Sequence, residues 1–172
     1  MEPEQNFQIE FVNQCQYRMD ESLRMVQRSF EKLSEEMIWK KPNAVTNSIG
    51  NLILHLCGNI TQYGIASLTG AADQRDRDLE FSMTAGWDKK ALITKLESIV
   101  KEAKSIFEQL PSKAFLEEKG VQGFHFSGIG RMLHVVEHFS YHTGQIALWT
   151  KILTEKDLGF YVDFDLNQKK ES

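Results

Sequence analysis

Apolar residues recur at intervals of three and four along most of the chain, which is the period of an amphipathic helix. The first such stretch covers about residues 5–36, with apolar positions at Phe7, Phe11, Leu23, Val26, Phe30 and Leu33. Prolines occur only at positions 3, 42 and 111, so the long periodic stretches contain no helix breaker. The pattern therefore predicts a long first helix that ends before Pro42.

A second and a third helix are predicted from the same period and from residues that favour helix ends. The second spans about residues 48–68, with Asn47 or Ser48 as its N-cap. The third begins near Asp88, a good cap, and is stopped by Pro111.

The fourth predicted helix spans about residues 128–154 and follows Ser127 as its cap. A long polar connection, about residues 69–87, joins the second helix to the third. Such a connection can cross the end of a bundle, and loops of this length often have a function, such as covering a site. We therefore predict an all-α four-helix bundle in which the second and third helices run parallel.

The C-terminal tail alternates with period two. Its apolar positions are Phe160, Val162, Phe164 and Leu166. This pattern predicts a short strand, paired with the segment Val121–Phe126. The expected fold is thus an all-α bundle with a small β element near the C-terminus, formed by a single domain over residues 1–172.

Composition narrows the class of protein. The chain has 172 residues, of which 41% are hydrophobic and 26% charged, as in an ordinary globular domain. Its net charge of −4 is spread along the chain, so we expect no nucleic-acid partner. The acidic start, Met1–Asn6, is unlike a secretory signal, and no apolar run approaches the ~20 residues that cross a bilayer. With only Cys15 and Cys57, these features favour a cytoplasmic protein that does not bind membranes.

Histidines mark the predicted site. His134, His138 and His142 recur every four residues on the fourth helix, so they point in similar directions. Arg131, Tyr141, Gln145 and Trp149 fall in the same sector, and apolar residues flank this mostly polar stripe on both sides. Such a helix should be buried, and its polar groups therefore need partners.

A metal ion is the partner that these residue types favour. Two imidazoles one helical turn apart can bind one ion, and His55 offers a third from the second helix. Neutral imidazoles with an open fourth position suit Zn²⁺, Ni²⁺, Fe²⁺ or Co²⁺, and do not suit Ca²⁺ or Mg²⁺. Asn59 and Tyr63 share the side of His55 and are candidates to line the same pocket. The alternative is that these are ordinary core or surface histidines.

A competing motif overlaps the same segment. His134, Glu137 and His138 match the H-x-x-E-H pattern of inverzincin proteases, in which the glutamate is the general base. Against this interpretation, Glu137 points about 100° away from the histidine stripe. Cys57 lies two residues from His55 and therefore faces the opposite way, as a small core residue does.

Two stretches of the sequence resemble the DinB/YfiT-like superfamily, and most closely its DUF1572 branch. The first is Trp39-Lys-Lys-Pro42 followed by Asn47-Ser-Ile-Gly-Asn-Leu-Ile-Leu-His55-Leu. The second is His134-Val-Val-Glu-His138-Phe-Ser-Tyr-His142-Thr-Gly-Gln-Ile146. The resemblance covers most of the chain, and the H-x-x-x-H motif with Gly-Gln after it is the most specific part.

This resemblance implies an up-down-down-up bundle in which one histidine of the second helix and two of the fourth hold a divalent metal. In this sequence the implied ligands are His55, His138 and His142, and His134 becomes a neighbour in the pocket. The resemblance also implies a homodimer. One departure is Thr143, which stands where many members have an arginine, so that the arginine's role does not carry over.

The sequence restricts the identity of the reaction less than it restricts the identity of the site residues. Relatives in the superfamily include thiol-dependent transferases and isomerases as well as metal-dependent hydrolases, and a fold does not determine a reaction. Three histidines and an open position make a Lewis acid that can activate either a low-molecular-weight thiol or a water molecule. The stripe has no obvious carboxylate base, which favours thiol transfer. Hydrolysis and a non-catalytic metal-binding or interaction role are the alternatives, and the sequence identifies no catalytic residue and no organic cofactor site.

Overall fold

The computed structural model describes residues 3–169, and four long helices form its body. The helices are α1 (Pro3–Lys32), α2 (Ile49–Asn59), α3 (Arg77–Ser82), α4 (Lys89–Gln109), α5 (Ser112–Leu116) and α6 (Gly128–Thr154), and the strands are β1 (Lys119–Val121) and β2 (Phe124–Phe126). A short 3-10 helix, Glu35–Met37, follows α1, and helix α2 continues through Ile60–Ala66 and Ser67–Thr69. The prediction of an all-α bundle with a small β element is confirmed.

Side-chain contacts give the direction of each long helix. Helices α1 and α4 are antiparallel, because Gln16 Nε2 donates to the Lys104 carbonyl (3.1 Å) while Gln27 Nε2 donates to Glu97 (2.6 Å). Residues later in α1 therefore contact residues earlier in α4.

Helices α2 and α6 are also antiparallel. The Asn59 side chain lies 3.0 Å from His134 Nε2, whereas the carbonyl of Ser67, later in the chain, accepts from Arg131 (2.7 Å). This pairing places the C-terminal part of α2 and its continuation against the first two turns of α6.

Helices α1 and α6 are parallel. The Phe11 ring packs against Phe115 of α5, whose backbone lies beside Gly128, the first residue of α6. Arg24 donates to the carbonyl of Phe160, shortly after α6 ends (2.8 Å). Together the three relations give the order up, down, down, up, as expected, with α2 and α4 parallel.

The helix starts follow the predicted capping residues. Ser48, rather than Asn47, caps α2, and its hydroxyl forms a reciprocal capping box with Asn51. Asp88 and Ser127 cap α4 and α6 by accepting from the backbone N–H three residues later, at 2.6 and 3.1 Å. Each cap satisfies a donor that the first turn of a helix leaves unpaired.

The connection between α2 and α4 folds back onto α2. It contains the short helix α3, which Asp76 caps. The amide of the buried Asn51 donates to the carbonyls of Glu80 (2.9 Å) and Met83 (2.7 Å), so the second half of the capping box also holds this connection. The connection therefore lies against the middle of the bundle.

Both strands of the β element lie before the C-terminal tail, where the period-two pattern predicted a strand. Strands β1 and β2 pair with each other, and Gln122 and Gly123 form their turn with positive φ values of 52° and 82°. The predicted strand in the tail was wrong: within the described tail, residues 160–169, the chain forms turns at 160–163 and 166–167 and no strand, and Val162 is 73% exposed. The tight turn pairs the segment Val121–Phe126 locally, which leaves the tail without a partner strand.

The hydrophobic core runs along the centre of the bundle. Met19, Leu56, Leu96 and Phe139, one from each long helix, have no exposed surface. Burial of such side chains contributes roughly 1.5–3 kcal/mol each and holds the four helices in register. Among the described residues, no helix is both long and apolar enough to cross a membrane.

Candidate metal centre

Three histidines from two helices meet at the middle of the bundle. One ligand atom each from His55, His138 and His142 lies within 4.8 Å of the other two. His55 Nε2 and His138 Nε2 are 2.9 Å apart. The antiparallel packing of α2 on α6 and the one-turn spacing on α6 thus bring together the set implied by the resemblance.

The second nitrogen of His55 is held by a carboxylate. Its Nδ1 lies 2.9 Å from Glu80 Oε2 in a site where both side chains are buried. With the proton on Nδ1, His55 donates to Glu80 and leaves the lone pair of Nε2 directed at the other histidines. Metal-binding histidines commonly have such a carboxylate partner, which fixes the tautomer and the ring orientation.

Glu80 is itself held in place by Arg75. The guanidinium donates to both carboxylate oxygens, at 2.7 Å from Nε and 2.9 Å from a terminal nitrogen. It also donates to Gln62 (2.8 Å), and Gln62 donates to Asp73 (2.6 Å). Burial acts to raise the pKa of Glu80, but the hydrogen bonds from Arg75 and His55 outweigh it and bring the pKa below its ordinary value. Glu80 is therefore an ionised acceptor.

Sequence reasoning missed both Glu80 and Arg75, because they lie on the charged connection rather than on the histidine stripe. The sequence feature that relates to these two residues is Gly58, which lies one turn after His55. A methyl group on Gly58 would overlap the Glu80 carboxylate and the Arg75 guanidinium. The small residue leaves the space on α2 that the connection fills.

The second nitrogen of His142 also has a partner. His142 Nδ1 lies 2.8 Å from Gln145 Oε1, three residues later on α6, and donates to it. This assigns Nε2 of His142 to the cluster. Glu80 thus orients His55, and Gln145 orients His142.

Burial favours the neutral form of the two imidazoles that α6 contributes, His138 and His142. Burial and the neighbouring histidines lower the pKa of His138 to about 3. Burial also lowers the pKa of His142. Neutral rings have free lone pairs, which is the state that a metal ion requires.

These residues fit a divalent ion. A tetrahedral ion with bonds of about 2.1 Å separates its ligand nitrogens by about 3.4 Å. The observed separations, 2.9 Å for one pair and at most 4.8 Å for the set, are close enough for small ring rotations to complete a site. The donor set is three nitrogens with no oxygen, which suits Zn²⁺, Ni²⁺, Fe²⁺ or Co²⁺.

His134 lies beside the cluster without joining it. Its ring stacks on Tyr63, with centroids 3.9 Å apart, and its Nε2 is 3.0 Å from the Asn59 amide. Tyr63 is buried, and its hydroxyl donates to Gln122 in the β-hairpin (3.0 Å). The structure therefore places Asn59, Tyr63 and His134 together as one wall next to His138.

Other residues of the stripe have separate positions. Tyr141 is 63% exposed, and its ring meets the edge of His142 with centroids 5.0 Å apart. Arg131 is fully buried and donates to three backbone carbonyls, including that of Ser67 at the end of α2, which makes it a structural link. Tyr141 is the stripe residue at the solvent edge.

The inverzincin interpretation does not fit this geometry, and Cys57 is the core residue that was expected. Glu137 is exposed and lines a groove with Arg18 and Met25 of α1, on another face of α6 from the histidines. Cys57 is buried in the core, and burial raises the pKa of its thiol to about 12. Neither side chain is placed to act on a ligand of the three histidines.

Thr143 occupies the position where the resemblance expects an arginine. It is buried, and within residues 3–169 its hydroxyl has no hydrogen-bond partner. A buried, uncharged side chain facing α1 cannot reproduce the contacts of an arginine. The role of that arginine therefore does not apply to this chain.

Comparison with known proteins agrees with the architecture. A family model described as a protein of unknown function, DUF1572, matches residues 6–161. The chain is also similar in structure to a DinB-like protein from Bacillus subtilis, with a TM-score of 0.64, 16% sequence identity, and coverage of 92% of this chain and 99% of that one. At this identity the similarity shows the fold alone. No curated protein matches the chain.

Proposed function

Because the chain belongs to the DUF1572 family and has a DinB-like fold, we propose that it binds one divalent metal ion through His55, His138 and His142. The observation that supports this most is the convergence of their ligand nitrogens within 4.8 Å. When bound, the ion supplies Lewis acidity, which lowers the pKa of a thiol or water molecule that it binds.

The reaction that the site supports best is transfer of a low-molecular-weight thiol to an electrophile. A thiol RSH and an electrophile R′X give the thioether RSR′ and HX. The sulfur–carbon bond forms with an electron pair from sulfur, the carbon–X bond breaks with its pair on X, and the thiol proton leaves with X. The protein would act in the cytoplasm, where such thiols are reduced, and its own Cys15 and Cys57 are free.

The carboxylates near the histidine cluster favour activation of a thiol over activation of a water molecule. Within the described residues, Glu80 is the only carboxylate within 4.0 Å of a nitrogen in the histidine cluster. Both its oxygens are occupied, by Arg75 and His55, so it is a positioning residue and not a free general base. A thiol of lowered pKa loses its proton without such a base, whereas hydrolysis benefits from one.

Cobalt substitution tests the proposal. The purified protein is analysed for metal, loaded with Co²⁺, and titrated with glutathione and with cysteine as two representative thiols. The expected results are one metal ion per chain and a new sulfur-to-cobalt absorption band that saturates with thiol. A protein that holds cobalt but whose spectrum no thiol alters is instead a candidate for hydrolysis or for a non-catalytic role. A protein that holds no metal contradicts the whole proposal.

A further inference from the structure

We propose that Asn59 determines which thiol binds, because its side-chain oxygen accepts a hydrogen bond from an uncharged N–H group of that thiol. Asn59 is 3% exposed, and within residues 3–169 its Oδ1 is buried without a hydrogen-bond partner. An unpaired buried acceptor is unfavourable, and a ligand that brings a donor removes this cost. The inference rests on the proposed function, because it names the class of thiol that the site takes.

The polar side chains around Asn59 have other partners. Its own amide nitrogen lies 3.0 Å from His134 Nε2 and donates to it. The Tyr63 hydroxyl donates to the β-hairpin (3.0 Å), and Gln62 Nε2 donates to Asp73 (2.6 Å). Tyr63 and Gln62 belong to the continuation of α2, which is π-helical, a form that is frequent at functional sites. Neither side chain therefore gives its donor to Asn59 Oδ1.

Asn59 borders the side of the histidine cluster that has no protein ligand. On α6, His142 lies one turn after His138, and His134 lies one turn before it. His142 belongs to the proposed ligand set, so the remaining side of the set faces His134 and Asn59. The rings of His134 and His138 are stacked there, with centroids 5.3 Å apart. Asn59 follows His55 by one turn, a rise of about 6 Å, so its partner belongs to the body of a bound thiol rather than to the sulfur.

The charges of the site favour an uncharged donor. Within the described residues, Glu80 is the only carboxylate within 4.0 Å of a nitrogen in the cluster, and Arg75 donates to both of its oxygens. An ammonium group beside Asn59 would therefore be buried without a counterion, which is unfavourable. An amide N–H carries no charge and needs only one acceptor. A thiol with an amide N–H near its sulfur thus fits the site better than an aminothiol.

Three thiols that place different groups two carbons from the sulfur test the inference. N-methylmercaptoacetamide has an amide N–H at this position, methyl thioglycolate has an ester oxygen, and cysteamine has an ammonium group. Each is titrated into the cobalt-loaded protein, and its Kd is measured from the sulfur-to-cobalt band. We expect the amide to bind about tenfold more tightly than the ester, as for one hydrogen bond to a buried acceptor, and more tightly than cysteamine. Equal Kd values for the amide and the ester would mean that water alone satisfies Asn59, and they overturn the inference.

A matched pair of variants assigns the difference to one side chain. Asn59→Leu keeps a similar volume without a hydrogen-bonding atom, so the amide and the ester should bind equally. Thr143→Val is the control, because Thr143 is the other residue in the described part of the chain with a buried, unpaired side-chain atom, and it lies in the groove next to α1. The tenfold ratio should remain in the control, and an equal response of both variants contradicts the assignment. Asn59→Asp adds a charge to the acceptor and should shift the preference towards cysteamine, which provides a second test if the leucine variant does not fold.

The tautomer of His134 provides a measurement that does not depend on thiol binding. Because an amide nitrogen only donates, Nε2 of His134 accepts from Asn59, and the ring proton lies on Nδ1. NMR of protein labelled at its histidine nitrogens, with His134→Ala for assignment, should show this tautomer. A proton on Nε2 would mean that Asn59 Oδ1 already accepts from His134, and it would leave no free acceptor for the thiol.

Metal analysis and the first titration separate this inference from the proposed function. If the native protein holds cobalt and binds the amide and the ester with equal Kd, only the role of Asn59 is wrong. If the native protein holds no metal, or if no thiol alters the cobalt spectrum, the proposed thiol transfer fails and the role of Asn59 fails with it.

Discussion

Glu80 decides which ring nitrogen of His55 faces the other two histidines. The carboxylate accepts from Nδ1 at 2.9 Å, and Arg75 keeps it ionised and fixed. Because the lone pair of Nε2 is then free, a side chain outside the histidine stripe prepares one of the three donors. Nothing in the helical period indicates this role, since the period reports only which residues share a face of one helix.

The role of Glu80 predicts a specific loss. In Glu80→Gln the amide can still accept from His55, but it loses the negative charge that pairs with Arg75. We expect the affinity for Zn²⁺ to fall about tenfold, as for other partners of metal-binding histidines. Competition with a chromogenic chelator measures it. Asp78→Asn, an exposed carboxylate on the same short helix, is the control, and an equal loss in both variants would contradict the assignment.

At the scale of elements, α2 carries both a ligand and the means to position its partner. His55 lies in the middle of the helix, Asn51 holds the connection that brings Glu80, and Gly58 leaves room for it. The residues on either side of His55 thus have a structural role, because they position the carboxylate that contacts it. Gly50 also packs against the ring of Trp39, where a Cβ would come within 2.8 Å of a ring carbon.

Two glycine substitutions should therefore change different properties: one should lower the metal affinity and the other should raise the free energy of unfolding. Gly58→Ala forces Glu80 and Arg75 to move, so metal affinity should fall while the helix content remains. Gly144→Ala, within α6, meets no heavy atom within 4 Å and should raise the free energy of unfolding by about 0.5–1 kcal/mol, because alanine favours a helix. Zinc titration and urea unfolding measure the two effects. A Gly58→Ala variant with native zinc affinity would show that the connection tolerates displacement.

The elements also show what the sequence could predict. Helix starts at Ser48, Asp88 and Ser127 follow from local hydrogen bonds, and these were predicted well. Spacing on α6, which is local, identified His134, His138 and His142 as candidates, whereas the choice of His138 and His142 together with His55 came from the family resemblance. The partner of His55 was missed because Glu80 comes from a connection whose position depends on tertiary contacts. The tail strand was wrong for a similar reason, since period two does not supply a neighbouring strand.

At the scale of the whole molecule, the buried histidines link stability to pH. The pKa of His138 is about 3 in the folded protein, against an ordinary value of 6.5. Between these values the unfolded chain binds a proton that the folded chain does not, so the free energy of unfolding of the metal-free protein should fall as the pH falls from 6.5 towards 3. Urea unfolding at several pH values tests this. His138→Ala should show a shallower decline, and an identical decline would contradict the assignment.

The homodimer remains a prediction about the whole molecule. Ile9 and Tyr17 are exposed on α1, at 46% and 55%, and lie on one side of the helix, about 80° apart around its axis. A second copy packed on this face would remove their apolar surface from water. Sedimentation velocity at micromolar concentrations should therefore show a dimer, and Tyr17→Glu should shift it towards the monomer. A native protein that sediments only as a monomer would refute the prediction.

The proposed ligands of one metal ion are His55, His138 and His142. The structure brings their nitrogens together and places His134 against Tyr63 and Asn59 instead. Losing one of three ligands leaves two, which is too few for stable binding. Losing His134 removes only a neighbour of the site. The four positions therefore differ in a way that one assay can measure.

Metal content per chain of four alanine variants, purified without chelator, is the most direct test. We expect His55→Ala, His138→Ala and His142→Ala each to lose most of the metal, and His134→Ala to retain most of it. Circular dichroism of each variant checks that the helices remain. If His142→Ala keeps its full metal content while His134→Ala loses it, the ligand pair is His134 and His138, and the site described for this protein is wrong.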